Sequence, residues 1–401
     1  MVPNGWEVKK LEDVVSKTRK ITYGIVVPGP YEPNGNLMIR AKDYSFGWQP
    51  IESIYRVSDQ MHQSYKRSKV RKGDVLLTIV GSIGNTAIVP EDLEGANITQ
   101  QTARLSFDEH DANFFYSVMS SGIGKKEIYR YAKSGVQPSL NLADIAKFKV
   151  PVPPFQEQQK IAKILSTWDK AISTTERLID NSTQQKKALM QQLLTGKKRL
   201  LDDDRNRFEG EWEKVKLSAV AQITMGSSPK SEAYNDVSDG LPLLQGNADI
   251  KNRKSVPRIY TSQITKECHI DDILFSVRAP VGTVAISNHH ACIGRGIAAI
   301  KAKKNHSQDY LYQWLLSFET KWERYSQGST FEAVNSNDIK SLNLSVPALP
   351  EQQKIATVLT NADKEIELLE QQLADLQQEK KALMQVLLRG KKRVVVDGEI
   401  A

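Results

Sequence analysis

Glu157-Gln-Gln-Lys-Ile-Ala162 returns 194 residues later as Glu351-Gln-Gln-Lys-Ile-Ala356. At the same offset Lys186-Lys-Ala-Leu-Met190 returns as Lys380-Lys-Ala-Leu-Met384, and Gly196-Lys-Lys-Arg199 as Gly390-Lys-Lys-Arg393. Between 157–199 and 351–393, 24 of 43 positions are identical without a gap, so the chain carries an internal duplication. The rest of each half matches loosely. Trp6-Glu7 parallels Trp212-Glu213, Asp74-Val-Leu-Leu parallels Asp272-Ile-Leu-Phe, and Asn141 to Ile145 parallels Asn335 to Ile339. Each half is therefore a divergent module of about 150 residues followed by a near-constant segment of about 45.

The constant segments read as long helices. In the first, apolar residues fall at Ile161, Leu165, Trp168, Ile172, Ile179, Leu189 and Leu193. In the second they fall at Ile355, Leu359, Ile366, Leu369, Leu373, Leu376, Leu383 and Leu387. Steps of three and four sustained over several heptads mark a coiled-coil seam. Thr175, Ser182 and Lys186 interrupt the first stripe and Lys380 the second, and polar groups at such positions can fix register. Prolines precede each helix, and Gly196 and Gly390 follow the last apolar turn. A helix of about 40 residues is roughly 60 Å long and cannot leave one apolar stripe in water. Because a whole module lies between the two helices, antiparallel pairing within the chain is the economical solution, with a homodimeric coiled coil as the alternative.

The fold class expected is α+β: two tandem α/β modules, separated by two long helices that form an intramolecular antiparallel coiled coil, in a pseudo-twofold repeat. The expected divisions are a first module over 1–152, a helix segment over 153–199, a second module over 200–346, a second helix segment over 347–393 and a tail over 394–401. Strands are expected from Asp74 to Val80 and Asp272 to Val277, and helices from Phe114 to Met119 and Tyr310 to Phe318.

With 401 residues, two or three domains are expected. The chain has no run of about 18 apolar residues, which excludes an ordinary membrane span, and Met1 to Lys20 holds no signal-peptide core. Only Cys268 and Cys292 occur, so a disulfide framework is excluded and the cytoplasm is the expected compartment. The net charge of +8 suits a polyanionic partner, because each Lys or Arg set beside a phosphate releases condensed counterions. Between the strands lie loops rich in Gly, Pro, Asn and Gln, such as Gly81 to Asn85 and Gln222 to Pro229. Amides and guanidinium groups suit base edges, where Asn or Gln pairs with adenine and Arg with guanine. The candidate DNA-binding residues are Arg40, Lys42, Asn85, Gln100, Gln101 and Arg104 in the first module. In the second they are Gln245, Asn247, Arg278, Arg295 and Gln327.

Catalytic signatures are missing. An adenine methyltransferase needs a polar acceptor ahead of Pro-Pro-aromatic, and Val152-Pro-Pro-Phe155 has valine there. Gly196-Lys-Lys lacks the upstream glycine and the Ser/Thr of a phosphate loop. Cys268-His269 and His289-His290-Ala-Cys292 follow no common zinc spacing. A non-catalytic, metal-free chain is expected.

Pro151-Val-Pro-Pro-Phe-Gln-Glu-Gln-Gln-Lys-Ile, repeated as Ser345-Val-Pro-Ala-Leu-Pro-Glu-Gln-Gln-Lys-Ile, resembles the specificity (S) subunit of type I restriction–modification systems. Pro3-Asn-Gly-Trp6, Gly73-Asp-Val-Leu-Leu77 and the loop holding Gly226 and Pro229 also resemble that family's motifs. Two departures stand out: Asp271 replaces the glycine ahead of Asp272, and the second turn reads Pro-Ala-Leu-Pro. The resemblance implies two target recognition domains, each reading half of a bipartite site in double-stranded DNA, with the paired helices setting the spacer. It implies as partners two modification (methyltransferase) subunits and restriction (motor and nuclease) subunits, and no membrane. S-adenosylmethionine, Mg and ATP would belong to those partners, with no cofactor on this chain. A coiled-coil adaptor binding only proteins is the competing reading.

Overall fold

The computed structural model describes residues 2–133, 138–327 and 334–396, excepting the side chains of 320 and 323–327. The chain divides into two compact units, residues 1–176 with 372–401 and residues 177–371. Each unit owns one module together with one half of each long helix.

In the first module the strands that matter are β1 (Asn36–Ile39), β2 (Val75–Thr78), β3 (Asn97–Ile98) and β4 (Thr102–Leu105), followed by helix α1 (Ala112–Ser120) and the long α2 (Phe155–Leu193). The second module repeats them as β5 (Leu241–Leu244), β6 (Ile273–Ser276), β7 (Ala291–Ile293) and β8 (Ile297–Ala302), then α3 (Gln308–Gln327) and α4 (Leu349–Leu387). β2 and β4 pair antiparallel, as do β6 and β8, while β1 with β3 and β5 with β7 run parallel. The four-residue runs of β2 and β6 are wholly buried, as continuous apolar strands between two packed layers should be.

Each module is stitched shut at the root of its helix. Glu7–Lys10 pairs antiparallel with Lys149–Val152, and Glu213–Lys216 with Asn343–Val346. The chain then enters α2 or α4 within a few residues. Both long helices are 39 residues, and the proline-rich turns lie immediately ahead of them. In the first unit Ile161, Leu165 and Leu387 enter the module's own core beside Leu11, Phe114 and Phe148. In the second, Leu193, Ile355 and Leu359 do the same beside Leu217, Phe275 and Tyr310. The other seam residues, Trp168, Ile172, Ile179, Leu189, Ile366, Leu369, Leu373, Leu376 and Leu383, are all half-buried, which is what a two-stranded seam leaves.

The helices pair antiparallel. In the first unit Asp169 of α2 meets Lys380 of α4; in the second, Ser182 meets Glu365 and Lys186 meets Asp363. The interruptions of the stripe are thus partnered. Thr175, also buried, returns its hydroxyl to the carbonyl of Ala171. Past each helix Gly196 and Gly390 take φ of +71° and +65°, and a Cβ on Gly390 would stand 2.4 Å from Pro3.

The Asp271 departure has a measurable cost. Gly73 ahead of β2 has φ +85°, and Asp271 ahead of β6 is held at +69°, so the turn kept its left-handed geometry after losing its glycine. Asp271→Gly should stabilise the second unit by about 0.5–1 kcal/mol, and Gly73→Ala should cost the first about 1–2 kcal/mol. Urea denaturation of the two variants checks both signs.

Candidate nucleic-acid interface

The Glu-Gln-Gln motif fastens module to helix through the same Glu–Arg and Gln–backbone contacts in both halves. The tryptophan bond to the glutamate is made only in the first, Trp212 Nε1 being buried without a partner among the described residues. Glu157 is buried and accepts from Trp6 Nε1 at 3.2 Å and from the Arg393 guanidinium. Its counterpart Glu351 is fully buried and takes Arg199 Nε at 3.0 Å and Nη2 at 2.6 Å. Gln158 accepts from Asp111 N–H and donates to Pro153 O, at 3.0 and 2.9 Å; Gln352 accepts from Ser307 N–H and donates to Pro347 O, at 2.9 and 2.8 Å. The same amides contact His110 and His306, whose ring nitrogens burial holds below the usual histidine range. Sequence reading recognised the motif as a repeat but did not foresee this work for it. The Glu-to-Arg reach joins each helix start to the basic run that follows the other helix.

The loops at the far ends of the strands are where the modules differ in chemistry. Thr99 N–H donates to Ile39 O and Gln100 N–H to Ile25 O, which sets Arg40 at the end of β1 and Gln100 just past β3, on neighbouring parallel strands. In the second module Gly294 N–H donates to Leu244 O and Gly296 N–H to Gln245 O. Gln245 therefore follows β5 directly, and Arg295 follows β7. By this pairing Arg40 corresponds to Gln245 and Gln100 to Arg295. One guanidinium and one amide stand on the same pair of strand ends in both modules, in exchanged order.

These four residues differ in freedom. Gln100 and Arg295 are exposed, whereas Arg40 and Gln245 are half-buried. Arg40 donates Nε and Nη2 to Asp43 at 3.1 and 2.9 Å, donates again to Ser53 O, and lies 5.3 Å from the centre of the Tyr55 ring. Asp43 also receives Arg40 N–H, just as Asp249 receives Gln245 N–H. Arg40 is thus held as part of a turn.

Of the remaining candidates, Lys42, Gln101 and Arg278 are exposed. Asn85 is half-buried and spends its amide on Ser45 and on Ser82 O. The Oδ1 of Asn247 is buried without a hydrogen-bond partner. The Gln327 side chain lies outside the described residues.

Arg104 requires a correction. It sits in the middle of β4 at 3% exposure and donates to the carbonyls of Arg67, Lys69 and Lys20. Burial, reinforced by the charge of Arg19, lowers its pKa to about 10, which still leaves it charged at neutral pH. Its counterpart by register is Ala299. The guanidinium ties the Arg67–Lys69 turn to Lys20 and has no path to a duplex.

Cys268 and Cys292 are buried free thiols, with Cys268 Sγ 3.5 Å from Ser287 Oγ, and His289 is bonded to Ser255 at 2.7 Å. Burial also raises the Cys268 thiol above its usual range. Among the described residues no three His, Cys, Asp or Glu side chains gather as metal ligands, and no helix is long and apolar enough to cross a membrane.

Two stretches, residues 3–181 and 209–378, match the type I restriction modification DNA specificity domain. The chain belongs to this family. A Methanocaldococcus jannaschii chain named as the specificity subunit of type I restriction enzyme MjaX is 32% identical over 98% of this chain and 95% of its own length. The Escherichia coli EcoBI specificity subunit is 30% identical over 48% of this chain and 41% of its own. Two solved structures share the fold. The S subunit of a type I system from M. genitalium aligns over 97% of this chain and 98% of its own at TM-score 0.63 and 14% identity. A chain from a study of type I R-M complex assembly aligns over 98% and 100% at TM-score 0.61 and 24% identity. The duplicated fold and the family membership together displace the reading of a protein-only adaptor.

Proposed function

We propose that this chain is the DNA-reading subunit of a type I restriction–modification enzyme, working without catalysis of its own. Each module reads one half of a bipartite, asymmetric site, and the antiparallel helices set the unread spacer. The observation that carries this reading is the pair of equivalent strand ends. One frame, duplicated, presents different base-competent side chains in its two copies, as two unlike half-sites require.

In this reading two modification subunits dock near the helices and modules and bring S-adenosylmethionine. They flip the target adenine from the stack, because a methyltransferase cannot reach it inside the duplex. Restriction subunits add Mg- and ATP-dependent translocation and cleavage. The enzyme works in the cytoplasm, and this chain decides where it acts. Methyladenine mapping in a host supplied with the partner methyltransferase, with and without this chain, tests the proposal. A bipartite methylated motif is expected only with the chain; a motif indifferent to it would reject the specificity role.

A further inference from the structure

We infer that Gln100 and Arg295 are base-reading residues at one and the same position of the duplicated frame, Gln100 for an adenine and Arg295 for a guanine. The inference rests on the specificity reading above and names the contacts that would carry it. The two residues follow the parallel strands β3 and β7, their neighbours fall in register with the same partner strands, and both side chains are exposed. Their partners at the adjacent strand ends, Arg40 and Gln245, are half-buried, and Arg40 is bound to Asp43. Within each pair, then, the residue past β3 or β7 is the one with a side chain to present.

The second turn is built around Arg295. A Cβ on Gly296 would lie 2.2 Å from Gln245 O, and one on Gly294 would lie 3.2 Å from the Gln245 backbone. Glycine on both sides lets the backbone press against β5, so Arg295 is the single side chain leaving the turn. Ser228 Oγ accepts from Arg295 N–H at 3.1 Å and lies 3.4 Å from Nε, which limits the directions the side chain can take. A guanidinium reads guanine O6 and N7 with two donors, and a glutamine amide reads adenine N6 and N7 with one donor and one acceptor. Exposed, fixed at the root and opposite in pairing preference, the two side chains suit two different half-sites.

The test is methyladenine mapping of the assembled methyltransferase carrying the wild-type chain, Arg295→Ala, Arg295→Gln or Gln100→Ala. Arg295→Ala should relax discrimination at one G·C pair of one half-site by about tenfold to a hundredfold, the range for one bidentate base contact. The other half-site and the spacer should be unchanged. Arg295→Gln should shift that same position toward A·T, and Gln100→Ala should relax one A·T pair of the opposite half-site. If Arg295→Ala keeps every base of the wild-type motif, or weakens binding uniformly with only a shallower salt dependence, the residue contacts phosphate or nothing, and the inference falls while the specificity reading stands. A wild-type complex with no bipartite motif would overturn that reading and this inference together.

Discussion

Glu351→Ala should destabilise the second unit by about 3–5 kcal/mol, a large share of the roughly 5–15 kcal/mol that holds an ordinary domain folded. Glu351 is fully buried and both its oxygens are taken by Arg199, whose Nη1 also donates to Gly210 O at 2.8 Å. The carboxylate thus joins the first turn of α4 to the segment that follows α2 and leads into the second module. Alanine would leave a partly buried guanidinium facing an empty apolar site, and it is the stranded charge that makes the loss large. Glu351→Gln keeps the shape and one acceptor, so its loss should be clearly smaller. The first unit has its own copy of the device in Glu157 and Arg393, and should be indifferent. Hydrogen exchange resolved by unit along a urea series separates the two. A loss under about 1 kcal/mol would class the pair with exposed ion pairs. Glu157→Ala should cost the first unit less than Glu351→Ala costs the second, because Arg393 is 45% exposed and water can take the place of the lost carboxylate.

The parts of this architecture that were legible in the sequence are those where local chemistry and tertiary environment agree. The apolar steps from Ile355 to Leu387 belong to a helix, and every one of them is at least half-buried. The runs at Val75 and Ile273 are strands because an unbroken apolar stretch suits burial on both faces. Arg104 misled because it looks like any other loop-adjacent arginine. Only the pairing of β4 between two neighbours shows that it is interior, with three carbonyls in place of water. The exchange of Arg40 and Gln100 with Gln245 and Arg295 was hidden for another reason. The helices keep one offset between copies, but the modules carry insertions, so Arg40 and Gln245 are 205 residues apart and Gln100 and Arg295 are 195 apart. Strand register recovers what counting loses. Glu157, Gln158 and Arg199 were visible as a repeated string, yet partners such as Trp6 and Arg393 lie more than 150 positions away and leave no local trace.

Removing the charged pairs from the helix seam should cost little stability and much precision. Lys186 with Asp363, and Lys380 with Asp169, are the same pair seen twice, each within its own unit. The lysines are 14% and 20% exposed, and Asp363 is also held by Gln313 of α3 at 2.7 Å. A largely buried ammonium must be met by its carboxylate. Slipping the helices by one heptad would strand these two ammonium groups, their aspartates being 38% and 43% exposed, while leaving the leucines nearly as well packed. The pairs therefore discriminate between registers more than they hold the helices together. In the fourfold variant Lys186→Met, Asp363→Leu, Lys380→Met and Asp169→Leu, the thermal midpoint should change little, because each pair is removed whole and its aspartate is more than a third exposed. The assembled enzyme should then methylate motifs of more than one spacer length, and the chain alone should form dimers through a stripe interrupted only at Thr175 and Ser182. Lys186→Met by itself should instead lower the midpoint slightly, since Asp363 then keeps only the Gln313 amide. A monomeric fourfold variant that keeps a single wild-type spacer would show that the ends of the helices, anchored at Glu157 and Glu351, determine register on their own.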